Sequence, residues 1–536
     1  MFTGHKNIMA WYLFAMFGFV LVNVSAAKTL VDCNAADPNQ LTVYEFYGED
    51  ELDNFGIGLA SAGDFNGNGI ADLIVGAPGH SDDAGAAYLF TGGSRSDSQT
   101  WDFRLLGEAP DDVLGFAVAG VGDLDGDGFD DIAIGAPNND REGVNSGAVW
   151  IIYGSDPPFG ERQTVLTNPN PNLMRFGYSI AAGDFNGSGY NDLAISAPAR
   201  RSQSFEKEKV YIYFGGPTLS NTPDVIIEPD GYDERFGTSI ACAGDVNGNG
   251  YDDLIVGAPY YGDFQEGDQR GRAYIYYGGA PMDTTPAIVL EGAEEYCWLG
   301  YSVAGAGDVN GSGFDDVIIG SPTYPGGGTG NPRYGKVYIL YGGTDMDNEP
   351  DVELVGENND NEFGWSVDGG LDMNNDGYDD IIIGARFRNC PAESGGAAYI
   401  YYGGNPMQQH PVVVAGSTED DDALGSSVAM IGEWSESMPL AAAAAIWNDK
   451  GMEVDDPQNE GAFGAVFLFA APPEIPGDFN RDGCVDIKDL SIFMRHWLDD
   501  DCDDLNWCSE ADMTKNTKVE FEDFALVAEY WLYGCH

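Results

Sequence analysis

The stretch Asp123-Leu124-Asp125-Gly126-Asp127-Gly128-Phe129-Asp130-Asp131 sets side-chain oxygens at loop positions 1, 3, 5 and 9 and offers the Phe129 carbonyl at position 7. Gly126 and Gly128 allow the tight backbone that such crowding needs. Hard oxygen donors at this spacing suit calcium, which takes six to eight oxygens. Magnesium, with its octahedral demand and retained water, suits them less. Five further stretches repeat the series with softer donors: Asp64, Asn66, Asn68, Ile70 and Asp72; Asp184, Asn186, Ser188, Tyr190 and Asp192; Asp245, Asn247, Asn249, Tyr251 and Asp253; Asp308, Asn310, Ser312, Phe314 and Asp316; Asp372, Asn374, Asp376, Tyr378 and Asp380. All six keep Asp at positions 1 and 9. One Asp/Asn/Gly stretch is an ordinary turn; six in register predict six calcium sites.

The first Asp recurs at spacings of 59, 61, 61, 63 and 64 residues, and so steady a period means an array. Each unit opens with Phe-Gly or Leu-Gly, as at Phe55-Gly56 and Leu114-Gly115, and a short apolar segment leads into the loop. Then follow a run such as Asp72-Leu73-Ile74-Val75-Gly76-Ala77-Pro78, a Tyr-rich run such as Ala273-Tyr274-Ile275-Tyr276-Tyr277-Gly278-Gly279, and a fourth apolar segment. Short apolar runs bounded by Gly, Pro and Asp are strands, and four per unit is the pattern of a propeller blade. A seventh unit begins at Leu424-Gly425, but Glu433 stands where the first Asp is expected and no Asn/Gly series follows, so blade seven is expected to hold no metal. Its alanines 441–445 favour a helix by propensity, yet the flanking register predicts a strand. This unit lacks a fourth strand, and an orphan strand lies at 41–47. The fold class expected is mainly β: a seven-bladed propeller over 40–470, with the N-terminal strand closing the last blade and removing the sheet edges.

The chain has 536 residues, with 88 Asp and Glu against 24 Lys and Arg, a formal charge of −64. That charge repels a phosphate backbone and excludes a nucleic-acid partner. With 43% hydrophobic and 12% aromatic residues the chain is too apolar for a disordered polyanion. Residues 1–26 read as a signal peptide: Lys6, an apolar run over 10–22 that is short for a spanning helix, and small residues up to Ala26. The mature chain is expected to be secreted or displayed at the cell surface, with no transmembrane segment. Eight cysteines suit an oxidising compartment. Four of them, Cys484, Cys502, Cys508 and Cys535, crowd the C-terminus and leave three pairings open.

The opening Phe-Gly, the Asp-rich loop and the Gly-Ala-Pro at 76–78, 135–137 and 257–259 resemble the FG-GAP repeat propeller of the integrin alpha-chain head. Ser196, Ser321 and Arg386 depart from the pattern. The resemblance implies calcium in the loops on one face and partner binding on the other. After a linker at 471–476, residues 477–536 change texture. Asp478, Asn480, Asp482, Asp486 and Asp489 fall at positions 1, 3, 5, 9 and 12, with the Cys484 carbonyl at 7, which is EF-hand spacing. A second copy has Asp512, Thr514, Asn516, the Lys518 carbonyl and Asp523, but Thr517 replaces Gly at position 6. A helix follows each loop, carrying Leu490, Phe493 and Trp497 in the first and Phe524, Val527 and Trp531 in the second. The pair resembles a type I dockerin, a small α-helical calcium-binding domain. That implies a cohesin-like or cell-surface partner and one or two more calcium ions, although Ile487-Lys488 and Phe521-Glu522 depart from the small hydroxyl residues usual in the partner-reading positions.

The function expected is that of an extracellular adhesion or ligand-binding module. It would take a protein or glycan through the propeller, tethered by the dockerin-like domain. The alternative is an extracellular hydrolase or lyase, or its accessory subunit, in polysaccharide catabolism. No catalytic residue stands out: after residue 26 only His80, His410, His496 and His536 remain, and no Gly-x-Ser-x-Gly elbow or zinc-ligand cluster occurs. A carboxylate pair among the acids would suffice for glycoside chemistry. A structural surface-layer component is a third option. On the rim opposite the metal loops the connections are acidic: Glu49, Asp50, Glu51 and Asp53; Glu108, Asp111 and Asp112; Asp230, Asp233 and Glu234; Glu294 and Glu295; Glu357, Asp360 and Glu362; 419–422. They predict either a solvated rim or a negative ring that attracts a cationic partner, with Tyr260, Tyr261, Phe264 and Tyr324 as contact area.

Overall fold

In this computed structural model the described residues are 30–32 and, apart from several internal stretches of which 447–463 is the longest, 42–470. The expected signal peptide at 1–26, the linker at 471–476 and the dockerin-like domain at 477–536 lie outside the described residues.

Seven antiparallel sheets are arranged in a ring whose innermost strands pack neighbour against neighbour, the last against the first. Blade one runs outward through Leu59–Gly63, Asp72–Ala77, Ala86–Phe90 and Phe103–Leu106. The sequence of each strand matches its place. Inner strands are built of small residues, as in Leu59-Ala60-Ser61-Ala62-Gly63, because seven of them converge on one axis. Second strands such as Asp72–Ala77 are buried throughout and read as continuous apolar runs, since both faces lie against neighbouring blades. Outer strands such as Phe103–Leu106 are partly exposed. The core is divided into seven clusters, one in each gap between adjacent blades. Between blades one and two, Phe65, Ile74 and Leu89 meet Leu114, Ile134 and Trp150. Small side chains at the axis leave a channel of about 520 Å³.

The Phe-Gly and Gly-Ala-Pro signatures meet in space. The first residue of each Phe-Gly or Leu-Gly pair is a blade-gap anchor: Phe55, Leu114, Phe176, Phe236, Leu299, Phe363 and Leu424 are all buried. The following glycine sits under the Gly of the preceding blade's Gly-Ala-Pro, so closely that a Cβ on Gly76 would lie 1.8 Å from the Gly115 carbonyl oxygen. Ser196, which replaces that Gly in blade three, is buried and accepts a hydrogen bond on its Oγ from the Ser179 amide at 3.0 Å.

Blade seven is composite. Leu424–Ser435, Met438–Ala445 and Ala465–Phe469 are completed on the outside by Thr42–Tyr47, which pairs antiparallel with Ala465–Phe469. The N-terminal strand thus closes the ring as expected, and alanines 441–445 are strand. Only two residues separate the first two strands of blade seven, whereas eight separate those of blade one. One strand has no counterpart in the repeat pattern: Leu30–Asp32 adds a fifth strand to the outer edge of blade six.

Candidate metal centres

Each candidate metal loop of blades one to six joins the inner strand to the second. In blade one the inner strand ends at Gly63, the loop opens with Asp64, and Asp72 begins the next strand. The sheet therefore fixes the two invariant aspartates at either end of a nine-residue span. Six times the same wiring appears. The carboxylate at position 1 accepts the backbone N–H groups of positions 5 and 6: Asp64 from Asn68 and Gly69 at 2.8 Å each, Asp245 from Asn249 and Gly250 at 2.9 and 2.8 Å, Asp372 from Asp376 and Gly377 at 3.1 and 2.8 Å. Asp123, Asp184 and Asp308 do likewise. The oxygen at position 5 turns the chain again by accepting the amide of position 7, as Asn68 does from Ile70 at 2.8 Å and Asp376 from Tyr378 at 2.9 Å.

Position 9 is the buried end. Asp72, Asp131, Asp192, Asp253, Asp316 and Asp380 are wholly buried. Each accepts the amide of the first glycine after the Tyr-rich strand: Gly92, Gly154, Gly215, Gly278, Gly342 and Gly403, at 2.7–2.9 Å. That contact explains the Gly: a Cβ on Gly92 would lie 2.2 Å from the Ala71 carbonyl oxygen. Burial pushes all six carboxyls up to about 7, with the position 1 carboxylate of the same loop adding to the rise. In blades one, three, four and five Asn at position 3 turns its amide onto this group, Asn186 Nδ2 lying 2.8 Å from both Asp192 oxygens, whereas Asn374 of blade six donates to Asp376.

The residues fit a hard divalent cation. The donors are all oxygen, and in blade two one oxygen from each of Asp123, Asp125 and Asp127 lies within 4.8 Å of the others. A buried carboxylate opposed by further carboxylates is costly unless a cation compensates it. Blade two shows the demand directly, since Arg162 reaches in to pair with Asp125 and, at 2.8 Å, with Asp127. The side chains at positions 1, 3, 5 and 9 would hold the ion, with the carbonyls of Ile70, Phe129, Tyr190, Tyr251, Phe314 and Tyr378 at position 7. In blade seven the first two strands leave no room for such a loop. The loops at 478–489 and 512–523 lie outside the described residues.

Position 8 escaped the sequence reading. Asp130 Oδ2 accepts the amide of Asp64, position 1 of the preceding blade, at 2.7 Å. Asp252, Asp315 and Asp379 do the same for Asp184, Asp245 and Asp308 at 2.7, 2.7 and 2.9 Å. The only signal in the sequence is the doubled Asp-Asp at the end of four loops.

The acidic rim on the opposite face is less free than the sequence predicts. Glu49 pairs with Arg104, Glu108 with Arg141 and Glu357 with Arg388. Glu362 is buried between Arg333 at 2.8 Å and Arg386 at 2.7 Å. Asp53 meets His80 Nδ1 at 3.1 Å and Asp112 accepts from Asn139 at 2.9 Å. Hydrogen bonding from Arg141 pulls the Glu108 carboxyl below its ordinary value. Much of the described rim is therefore paired with cations or tied into its own loops, which favours a self-paired, solvated rim over an open negative ring; Glu51, Asp230, Asp233, Glu234, Asp360 and 419–421 lie outside the described residues. Tyr260 lies under Arg235 and beside Trp298. Phe264 lies outside the described residues.

The sequence matches the FG-GAP repeat family at residues 55–90, 114–152, 176–213, 236–276, 299–340 and 363–401. Integrin alpha-5 of Xenopus laevis is 34% identical over 223 residues, covering 39% of this chain and 20% of that protein. Integrin alpha-8 of Gallus gallus is 32% identical over 296 residues, 50% of this chain and 26% of that protein. The human phosphatidylinositol-glycan-specific phospholipase D is 33% identical over 230 residues, 39% of this chain and 26% of that protein. The matched region thus spans about a quarter or less of the length of these relatives. The six matched segments fall on blades one to six, and the chain carries six FG-GAP repeats in a seven-bladed β-propeller with integrin alpha chains among its homologues.

Proposed function

We propose that the protein is a secreted binding or adhesion module whose propeller is braced by calcium on one face and docks an extracellular protein or glycan on the other. The C-terminal dockerin-like segment would tether it to a cohesin-like or cell-surface partner. Integrin alpha chains among the homologues support the extracellular binding role, and no helix among the described residues is long and apolar enough to cross a membrane.

One observation carries the docking face. Opposite the metal loops, aromatic residues from neighbouring blades form a half-buried patch. Trp298 stacks on Tyr301 with centroids 6.1 Å apart, Tyr301 lies 4.4 Å from Trp365, and Tyr260 lies 5.5 Å from Trp298. Arg386 covers Trp365 at 3.1 Å and Arg235 covers Tyr260 at 4.5 Å. Trp, Tyr and Arg gathered in this way are the composition of binding hot spots, offering large rigid area with polar handles.

The test is to screen the purified full chain, in calcium, on arrays of glycans and extracellular matrix proteins. A ligand should emerge whose affinity falls at least tenfold in Trp365→Ala and Tyr301→Ala, with melting nearly unchanged. A ligand indifferent to both changes, or no ligand at all, would refute this face as the docking site.

A further inference from the structure

We infer that the metal loops are coupled from blade to blade through position 8, so that calcium loads them as a group of four and a group of two. This rests on the loops binding calcium. The position 8 carboxylate neighbours the position 9 ligand of its own loop, yet it grips the amide of the first ligand of the loop before it. A cation captured by one loop fixes its position 9, and with it the carboxylate next door. The first ligand of the preceding loop is then already placed, and less ordering remains to be done when that loop fills. Coupling of this kind is reciprocal.

The chain of links has two gaps. Asp252, Asp315 and Asp379 join blades three, four, five and six, and Asp130 joins one to two. Between blades two and three position 8 is Asn191, whose Nδ2 donates instead to the Val121 carbonyl at 3.0 Å, so the first-ligand amide is not held in the same way. At the start of the array position 8 is Ala71, which has no side-chain oxygen and bonds through its backbone N–H to Glu433 O of blade seven at 2.9 Å. Aromatic rings at position 7 cover the preceding loop's first glycine at all five junctions, as Phe129 does over Gly67 and Tyr190 over Gly126. The carboxylate link is shared by all four linked junctions and missing between blades two and three, and at three of the four a backbone bond from the position 8 amide to the position 1 carbonyl accompanies it.

The experiment is a calcium titration of the chelator-stripped full chain, followed by calorimetry and by native mass spectrometry to count ions. Asp478→Ala and Asp512→Ala are included in every variant to silence the C-terminal loops. The expected result is two cooperative groups, of four ions and of two, each with a Hill slope above 1. Asn191→Asp, which supplies the missing carboxylate, should merge them into one group of six. Asp315→Ala should split the four into two pairs and weaken their midpoint about five- to tenfold. Because Asn191→Asp adds a group rather than removing one, it guards against loss of folding in Asp315→Ala. Six independent sites, or groups unchanged by both substitutions, would overturn the coupling while leaving the calcium reading intact. Failure to take up any calcium would overturn both.

Discussion

Gly76 and Gly69 lie seven residues apart in blade one and are used for different reasons. Gly69 sits at φ +81° with nothing within 4 Å of a built Cβ, so Gly69→Ala costs only the left-handed backbone, about 1–2 kcal/mol. Gly76 faces the Gly115 carbonyl oxygen, and a Cβ there would force two blades apart. Gly76→Ala is expected to cost roughly 3 kcal/mol or more, and denaturant melts of the two variants side by side decide the matter. Asp368 offers a pH-dependent case. It stands in the channel wall where other inner strands carry Ala60, Ala119, Ala181, Ala241, Ala304 and Ala429, and it accepts the Met430 amide at 2.8 Å. Burial pushes its carboxyl up to about 6. A carboxyl raised in the folded state favours folding below its unfolded value near 4 and loses that advantage as pH rises through about 6. Asp368→Asn keeps an acceptor and removes the charge. It should stabilise by up to about 3 kcal/mol at pH 8, with the gain vanishing at pH 4. A gain equal at both pH values would point to packing instead.

At the scale of the element, blade seven tests what a strand needs. Alanines 441–445 are strong helix formers, yet they lie fully buried between two clusters, with Ala443 against blade six and Ala444 against blade one. Gly56 of blade one presses on Ala444, where a built Cβ would lie 2.7 Å from the Ala444 Cβ. Small side chains are thus demanded by two blades closing on one strand, and Ala443→Leu should cost about 1–3 kcal/mol by overpacking. Neutral or improved stability would mean that the ring is looser here than the contacts imply. The repeat register made this strand legible against its propensity, because Leu424-Gly425 and the apolar stretch before Phe469 bracket it. The same register marked the four loop positions whose side-chain oxygens converge, and the closing strand. It could not show Leu30–Asp32 on blade six, whose three residues carry no period. Nor could it pair Glu362 with Arg386 or Glu49 with Arg104, which lie 24 and 55 residues apart and meet only once loops from different strands converge.

For the whole molecule the question is whether calcium acts on the net charge of −64 or on the six buried aspartates. The two differ in how salt affects them. Repulsion between exposed carboxylates more than a Debye length apart, about 8 Å at physiological ionic strength, is already largely screened. Ligand oxygens within 4.8 Å of one another, as in blade two, and the wholly buried position 9 carboxylates are beyond the reach of screening ions. Local repulsion and desolvation therefore dominate, and bulk salt should be a poor substitute for calcium. Each loop at a calcium concentration 100 times its dissociation constant adds about 2.7 kcal/mol by mass action. Because every loop links two strands of one closed ring, the increments should fall on a single unfolding transition. Chelation is expected to lower the propeller's melting midpoint by roughly 10 °C or more, and 1 M NaCl should restore only a small part of the loss. An unchanged midpoint would sink the calcium reading. Full recovery in salt would transfer the effect to long-range charge, and calcium would then be a counterion rather than part of the fold.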